Sequence, residues 1–473
     1  MSGSFDAIVI GGDASGLAAA AYLARAGLKT VLLEKQEALP TTPSPVLHAL
    51  DPRVVKELKL GRYGLTFVFR DLSLVSLRPG GLPLTVPRDP RHAARSVAAL
   101  SPADAAALPR YLDTLFTLGR ALRPSWWDGR PLSETLAALK PSLRDLAARL
   151  RVTSAAAYTA SWFETDAMCA ALAFDAVRAG FAPTEPGSAL ALAWGASQEM
   201  CGMQAASSLP GRGGLIHALA LAAQKAGAEI RTVSTAHSLM LANDRIAGVE
   251  LTAGERLEAP LVLSSLSRRH TLALAPAAVH GLGTAQRAHA APMPIGIDLV
   301  FGLMRQPDPT DLLLQPGQRN IVADRPEAYT AALAAARLGQ VPDELVLELS
   351  HPAPDVAVDA LASRIQLHVR AWPIPADRAG ERDVLTRAVT STVERIAPGF
   401  SHRVASADIV LPHDSDPPSV TRLSASAEER IATVIPGLFL CGRAAEPADA
   451  VSCRAARQAA RLAIARRPLR EPQ

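Results

Sequence analysis

Near the start of the chain, six residues have a spacing suited to holding a diphosphate: Gly11-Gly12-Asp13-Ala14-Ser15-Gly16, with Glu34 further on. The apolar run Ala7–Ile10 precedes the turn, a helical pattern over 17–26 closed by Gly27 follows it, and a second apolar run, Thr30–Leu33, leads into Glu34. This is one strand–turn–helix–strand unit of the length a dinucleotide fold requires. A helix start offers unpaired N–H groups and a partial positive charge to phosphate. The first glycine of such a turn makes the bend, the second lets backbone touch phosphate, the third lets helix and strand pack closely, and the acid holds a ribose. Gly11 and Gly16 fill the first and third places and Glu34 fits the acid, but Asp13 stands at the second. Glu34 taken alone would read as a solvated strand-end charge.

No other constellation competes. The 11 histidines are scattered without metal spacing, and His413 with Asp414 and Asp416 reads as a solvated loop. The four cysteines, Cys169, Cys201, Cys441 and Cys453, form no CxxC pair and read as reduced thiols of a cytoplasmic protein. Ser264-Ser265 lacks the surrounding glycines of a nucleophile elbow. Trp126-Trp127 and Trp162-Phe163 read as core packing, with a lipophilic ligand wall or a membrane-facing patch as the sharper alternative. No catalytic side chain and no metal ligand is assigned.

Several elements must position the turn. Residues 87–151 are mainly helical, with breaks expected at Pro102, Pro109, Pro124 and Pro131, and 153–179 continue the pattern as a helical insertion. A glycine-rich turn at 210–214 opens an amphipathic helix closed by Gly227. The segments 229–232, 238–242, 248–251 and 255–257 read as a small antiparallel sheet, and 261–265 as a buried strand. Strands at 295–303, 344–349 and 365–371 mix with a helix at 383–396, and the chain closes with the strand–turn 437–442 and a helix over 452–466.

At 473 residues the chain is too long for one ordinary core. Its 49% hydrophobic and 20% charged content is a globular balance. A formal net charge of +4 gives no electrostatic case for nucleic acid, and only six of the 49 basic residues are lysine, a bias that reads as genome composition. The N-terminus has no signal-like pattern and no apolar run reaches the roughly 18 residues of a membrane span, which leaves peripheral membrane contact open.

On these residues the chain resembles the phytoene-desaturase and carotenoid-isomerase-like FAD-dependent oxidoreductases, in their pyridine nucleotide-disulphide oxidoreductase-like bacterial branch. The resemblance rests on Gly16 through Leu28, Ser101-Pro102-Ala103-Asp104, Ala171-Leu172-Ala173-Phe174-Asp175, the stretches 184–188 and 210–214, and Ile435-Pro436-Gly437-Leu438-Phe439-Leu440-Cys441-Gly442. It implies an α/β fold: a discontinuous FAD/NAD(P)-binding Rossmann-like domain (1–90, 206–290 and 425–467), a helical insertion (91–205) and a mixed α+β substrate-type domain (291–424). By that resemblance FAD is the cofactor, and Gly11, Gly12, Asp13, Gly16, Glu34, Gly442 and Asp449 occupy its binding positions.

The chain departs from the family at each cofactor loop. Asp13 sets a carboxylate against a dianion, and one like-charge pair at 4 Å costs roughly 4 kcal/mol at an effective dielectric of 20. A nanomolar ligand has about 12 kcal/mol of binding free energy, so this alone would weaken it to micromolar. The family's paired glycines after the acid are missing, since no glycine occurs between Glu34 and Gly61. Its three C-terminal glycines are replaced within Glu446-Pro447-Ala448-Asp449-Ala450-Val451, and the stretch 412–435 is short and without aromatic residues. Arg443 or Arg454 is expected to pair with Asp13 or Asp449 and fill the phosphate position.

Packing elements are kept while cofactor loops change together. The expected function is therefore a homologue in which FAD is weak or absent, acting as a non-catalytic binding or partner subunit beside an active paralogue or another protein. The alternatives are an active FAD-dependent oxidoreductase of dehydrogenase or desaturase type on a lipophilic or small organic substrate, and a carrier of an apolar small ligand.

Overall fold

A computed structural model describes residues 3–39, 46–70, 73–81, 83–87, 89–199, 205–208, 214–276, 295–304, 318–351, 364–410, 420–448 and 451–467. Its centre is a five-stranded parallel sheet in the order Leu438–Leu440, Val262–Ser264, Ala7–Ile10, Thr30–Leu33, Glu229–Arg231. The four-residue strands Ala7–Ile10 and Thr30–Leu33 are buried throughout, which explains their unbroken apolar runs, because a parallel strand is covered on both faces. The fold is thus mixed α/β with a Rossmann-like parallel sheet.

The first helix runs Ala14–Arg25 and starts three residues earlier than the apolar pattern suggested. Its small residues Ala18, Ala19, Ala20 and Ala21 are all buried, so it is apolar around its circumference rather than on one stripe. It packs against the sheet and against the helices Leu215–Lys225 and Arg454–Ala465.

Glu229–Arg231, expected in the small antiparallel sheet, lies instead parallel to Thr30–Leu33 at the edge of the central sheet. An alternating pattern reports a half-buried strand but not its neighbour. The small sheet is four-stranded, Gly3–Ser4, Arg256–Glu258, Arg245–Leu251, Ala236–Ala242, and its first pairing is parallel.

A seven-stranded sheet carries Val404–Val410, Ile295–Met304, Arg364–Ile374, Val346–Ser350, Gln318–Val322, Ser73–Leu77 and Leu84–Val86, in that order. The last two strands come from within the 1–90 stretch, joined through parallel pairing of Ser73–Leu77 with Gln318–Val322. One face of this sheet packs on the helix Arg382–Glu394 through Leu347, Val369, Leu385 and Val389.

A layer of helices from Pro90–Ala98 to Ala189–Glu199 shares a core with the seven-stranded sheet through Leu84, Ile321 and Val346. Pro109 does not break this layer but lies inside the 20-residue helix Pro102–Ala121. Proline there removes one backbone hydrogen bond, and the buried row Leu108, Tyr111, Leu115 and Leu118 holds the helix together regardless. Trp126, Trp127 and Phe163 are core residues, and Tyr111 packs edge-on to Phe163 at 5.0 Å. No helix among the described residues is long and apolar enough to cross a membrane.

Candidate functional site

The chemistry-bearing turn lies at the carboxyl ends of Ala7–Ile10 and Thr30–Leu33, where ligands of open parallel sheets bind. Gly11 has φ of +99°, and a Cβ there would come within 2.3 Å of Ser265 Oγ. A Cβ on Gly16 would stand 1.9 Å from the Gly11 carbonyl oxygen, so only glycine lets the helix start this close to the strand. A Cβ on Gly12 would meet Glu34 Oε2 at 2.8 Å, and one on Gly442 would meet the Ser265 carbonyl oxygen at 2.1 Å. Ser265 therefore bridges the N-terminal turn and the C-terminal Gly442, a role no spacing in the sequence announces.

Glu34 is buried and held by backbone: Gly12 N–H donates to Oε2 at 2.7 Å and Gln36 N–H to Oε1 at 2.9 Å. This is the place and anchoring of a ribose-holding acid. Asp13 adopts an extended conformation (φ −72°, ψ 178°), so its site does not require glycine for the backbone. Its carboxylate caps the first helix, with Oδ1 accepting from Gly16 N–H at 2.8 Å.

A second helix start abuts the first. Arg454–Ala465 begins after Cys453, whose buried thiol donates to the Ala14 carbonyl at 3.6 Å. This start is also capped by the chain's own acid: Glu446 Oε1 accepts from Ala455 N–H at 2.9 Å and from Ser452 Oγ at 2.5 Å. Burial pushes the Cys453 thiol well above its usual pKa, and the carboxylates Glu446, Asp13 and Asp51 push it further the same way. Cys441 is raised by burial and by Asp13. Burial is the main cause for both thiols, and it holds them neutral.

Arg454 does not reach toward Asp13. Its Nε lies 3.2 Å from Asp51 Oδ2, its Nη2 donates to Gln198 Oε1 at 2.9 Å, and its guanidinium stacks 4.1 Å from the centre of the Trp127 ring. Its partner is Asp51, a fully buried acid that also caps the helix Pro52–Glu57 and binds Arg53. Asp449 lies outside the described residues, as do residues 40–45 and 209–213 of the neighbouring loops.

A flavin diphosphate needs a ribose-holding acid and free N–H groups at a helix start. The ribose acid fits. At the phosphate position each of the two helix starts binds a carboxylate of the chain, Asp13 on Gly16 N–H and Glu446 on Ala455 N–H. Among the described residues no His/Cys/Asp/Glu group suits a metal. Ser264 Oγ shares a 2.7 Å hydrogen bond with Thr271 Oγ1 in the core and is no nucleophile.

Residues 9–40 match the NAD(P)-binding Rossmann-like domain family. The chain is similar to the pyridine nucleotide-disulfide oxidoreductase domain-containing protein 2 of Rattus norvegicus, 30% identical over 314 residues that cover 56% of this chain and 54% of the rat protein. The Mus musculus counterpart is 31% identical with the same coverage. The chain thus spans about half the length of the curated relatives it matches. Among solved structures it resembles an oxidoreductase from Methanosarcina mazei, with a TM-score of 0.63 at 15% identity, covering 97% of this chain and 100% of that one. A putrescine oxidase variant matches with a TM-score of 0.61 at 15% identity over 98% and 99% of the two chains. At these identities the structures speak for the fold. The fold is thus that of a Rossmann-like dinucleotide-binding protein, with a sequence similar over part of its length to the pyridine nucleotide-disulfide oxidoreductase domain-containing proteins.

Proposed function

We propose that this chain keeps the flavoprotein fold, has lost tight FAD binding, and serves as a non-catalytic binding or partner subunit. The observation that carries this reading is the Asp13 carboxylate on the Gly16 N–H, at the helix start where the cofactor's phosphate must lie. Glu446 on the second helix start supports it. The fold does not need the ligand to join its parts, because Arg454, Asp51, Gln198 and Trp127 tie the C-terminal helix to the helical layer. The partner that suits such a chain is a flavin-bearing paralogue.

A second reading, an active FAD-dependent oxidoreductase of dehydrogenase or desaturase type, is favoured by Glu34, which retains its ribose-holding anchorage. The test is the visible spectrum of purified full-length protein and its FAD content after denaturation. Colourless protein that FAD at tens of micromolar does not reconstitute supports the first reading. Near-stoichiometric FAD establishes the second.

A further inference from the structure

The nucleotide turn lies at one edge of the central sheet, and positive charge gathers at the other. The helices Ala14–Arg25 and Leu215–Lys225 each run down to the start of a strand, and those strands, Thr30–Leu33 and Glu229–Arg231, are parallel neighbours. Arg454–Ala465 starts beside Ala14, and just past its end Arg467 pairs at 2.9 Å with Asp6, the residue before Ala7–Ile10. In a parallel sheet these helix ends share one edge, opposite the nucleotide turn. The helix Pro52–Glu57 reaches it too: Arg25 donates to the Glu57 carbonyl, and Arg461 lies 3.5 Å from the Glu57 carboxylate. The short turn Leu60–Tyr63 follows and packs on Leu215–Lys225.

Residues 14–29, 51–65, 214–228 and 453–467, which form these elements, hold 12 of the chain's 49 basic residues but 2 of its 45 acids. Four of its six lysines are among them. Arg25, Lys29, Lys56, Lys59, Arg62 and Lys225 are exposed, and none has an ion-pair partner among the described residues. The bordering acids Asp6, Glu57, Glu229 and Glu428 are each paired with an arginine outside that six. Glu258, exposed in the strand beside Ser4, is left over. A cation at a helix end complements the macrodipole, but each of the three long helices presents only about half a negative charge there. Six free cations exceed that need and Glu258 together.

We propose that this face adsorbs to an anionic lipid bilayer, held by charge and without insertion. Helix ends are presented rather than helix sides, so no helix is offered lengthwise to a nucleic-acid groove. Tyr22 and Tyr63, the aromatic residues of these segments, are half-buried and not free to stack on bases. A fluid lipid surface imposes no register, so exposed cations spread over a face all contribute. Among the described residues of these segments no large apolar side chain is exposed, which makes the attraction electrostatic and sensitive to salt. The face is remote from the nucleotide turn and does not depend on whether FAD is bound.

The test is sedimentation of full-length protein with vesicles of phosphatidylcholine, alone or with about one-third phosphatidylglycerol. Binding to the mixed vesicles only is expected, at least tenfold weaker when salt rises from about 0.1 to 0.5 M. The variant Lys56→Gln/Lys59→Gln/Arg62→Gln should lower the partition coefficient at least tenfold, since each cation near such a surface contributes about fivefold. Lys29→Gln/Lys225→Gln, made separately, should act in the same direction. The same charge change on the exposed side of the helical layer, Arg110→Gln/Arg120→Gln/Arg149→Gln, should leave binding unchanged. No binding to the mixed vesicles, equal loss in the two triple variants, equal binding to phosphatidylcholine alone, or tighter binding to duplex DNA than to the mixed vesicles would overturn the proposal.

Discussion

Arg454 places its Nε 3.2 Å from Oδ2 of Asp51, and neither side chain has any exposed surface. A buried pair of this kind is held by mutual need: removing one partner strands the other charge in a low dielectric. Arg454→Met should destabilise the protein toward the lower end of about 3–5 kcal/mol, since Asp51 keeps Arg53 as a second partner. Urea unfolding followed by circular dichroism measures it. A loss below about 1 kcal/mol would show that the pair does not hold the C-terminal helix to the start of the helix Pro52–Glu57.

Asp13→Gly bears directly on the cofactor. Replacing a capping Asp by Gly costs only a few tenths of a kcal/mol, so the fold should be little changed. Removing the carboxylate relieves roughly 4 kcal/mol of repulsion toward a diphosphate. The expected result is an FAD dissociation constant at least tenfold lower than wild type, read by flavin fluorescence. An unchanged constant would place the barrier elsewhere.

Gly16→Ala tests the close approach of helix and strand. Its Cβ would lie 1.9 Å from the Gly11 carbonyl oxygen, and backbone cannot step aside as a flexible side chain can. A cost of roughly 3 kcal/mol or more is expected, at the top of the overpacking range. Gly61→Ala is the control, because a Cβ there meets nothing within 4 Å. Comparable melting temperatures for the two variants would contradict the packing argument.

Acid sensitivity should trace in part to Glu57. Hydrogen bonds from Arg457, at 2.7 and 2.6 Å, chiefly lower its pKa from the ordinary 4.5 to about 2, with Tyr22 Oη adding a third at 2.7 Å. A depressed carboxylate pKa stabilises the fold above the unfolded value and is lost as pH falls through the folded one. Stability should therefore decline between about pH 4.5 and 2, and Glu57→Gln should flatten that part of the profile. The residue is about one-third exposed, so solvent screening makes the contribution modest. Denaturation midpoints at several pH values decide it.

How far the site was legible depended on whether its partners are neighbours in sequence. Gly11, Gly16 and Glu34 fall within one strand–turn–helix–strand unit, and periodicity with glycine spacing placed them where the structure has them. Asp51 carried a local signal, an acid before proline at a helix start, but nothing in it named Arg454, 403 residues away. The Glu446 cap was hidden for the same reason: a lost glycine loop is visible as a string of letters, while the backbone N–H that its replacement binds is not.

By itself the sequence determined the dinucleotide-type unit, the helical layer and the chemical oddity of an acid at the phosphate turn, because each follows from short-range pattern and residue chemistry. Only the tertiary structure decided what that acid does, which arginine pairs with which carboxylate, and that Ser73–Leu77 and Glu229–Arg231 join sheets other than those their neighbours in sequence suggested. The reason is physical. Pairing between distant segments is chosen by burial and by competition among buried charges, and those quantities exist only once the chain has closed on itself.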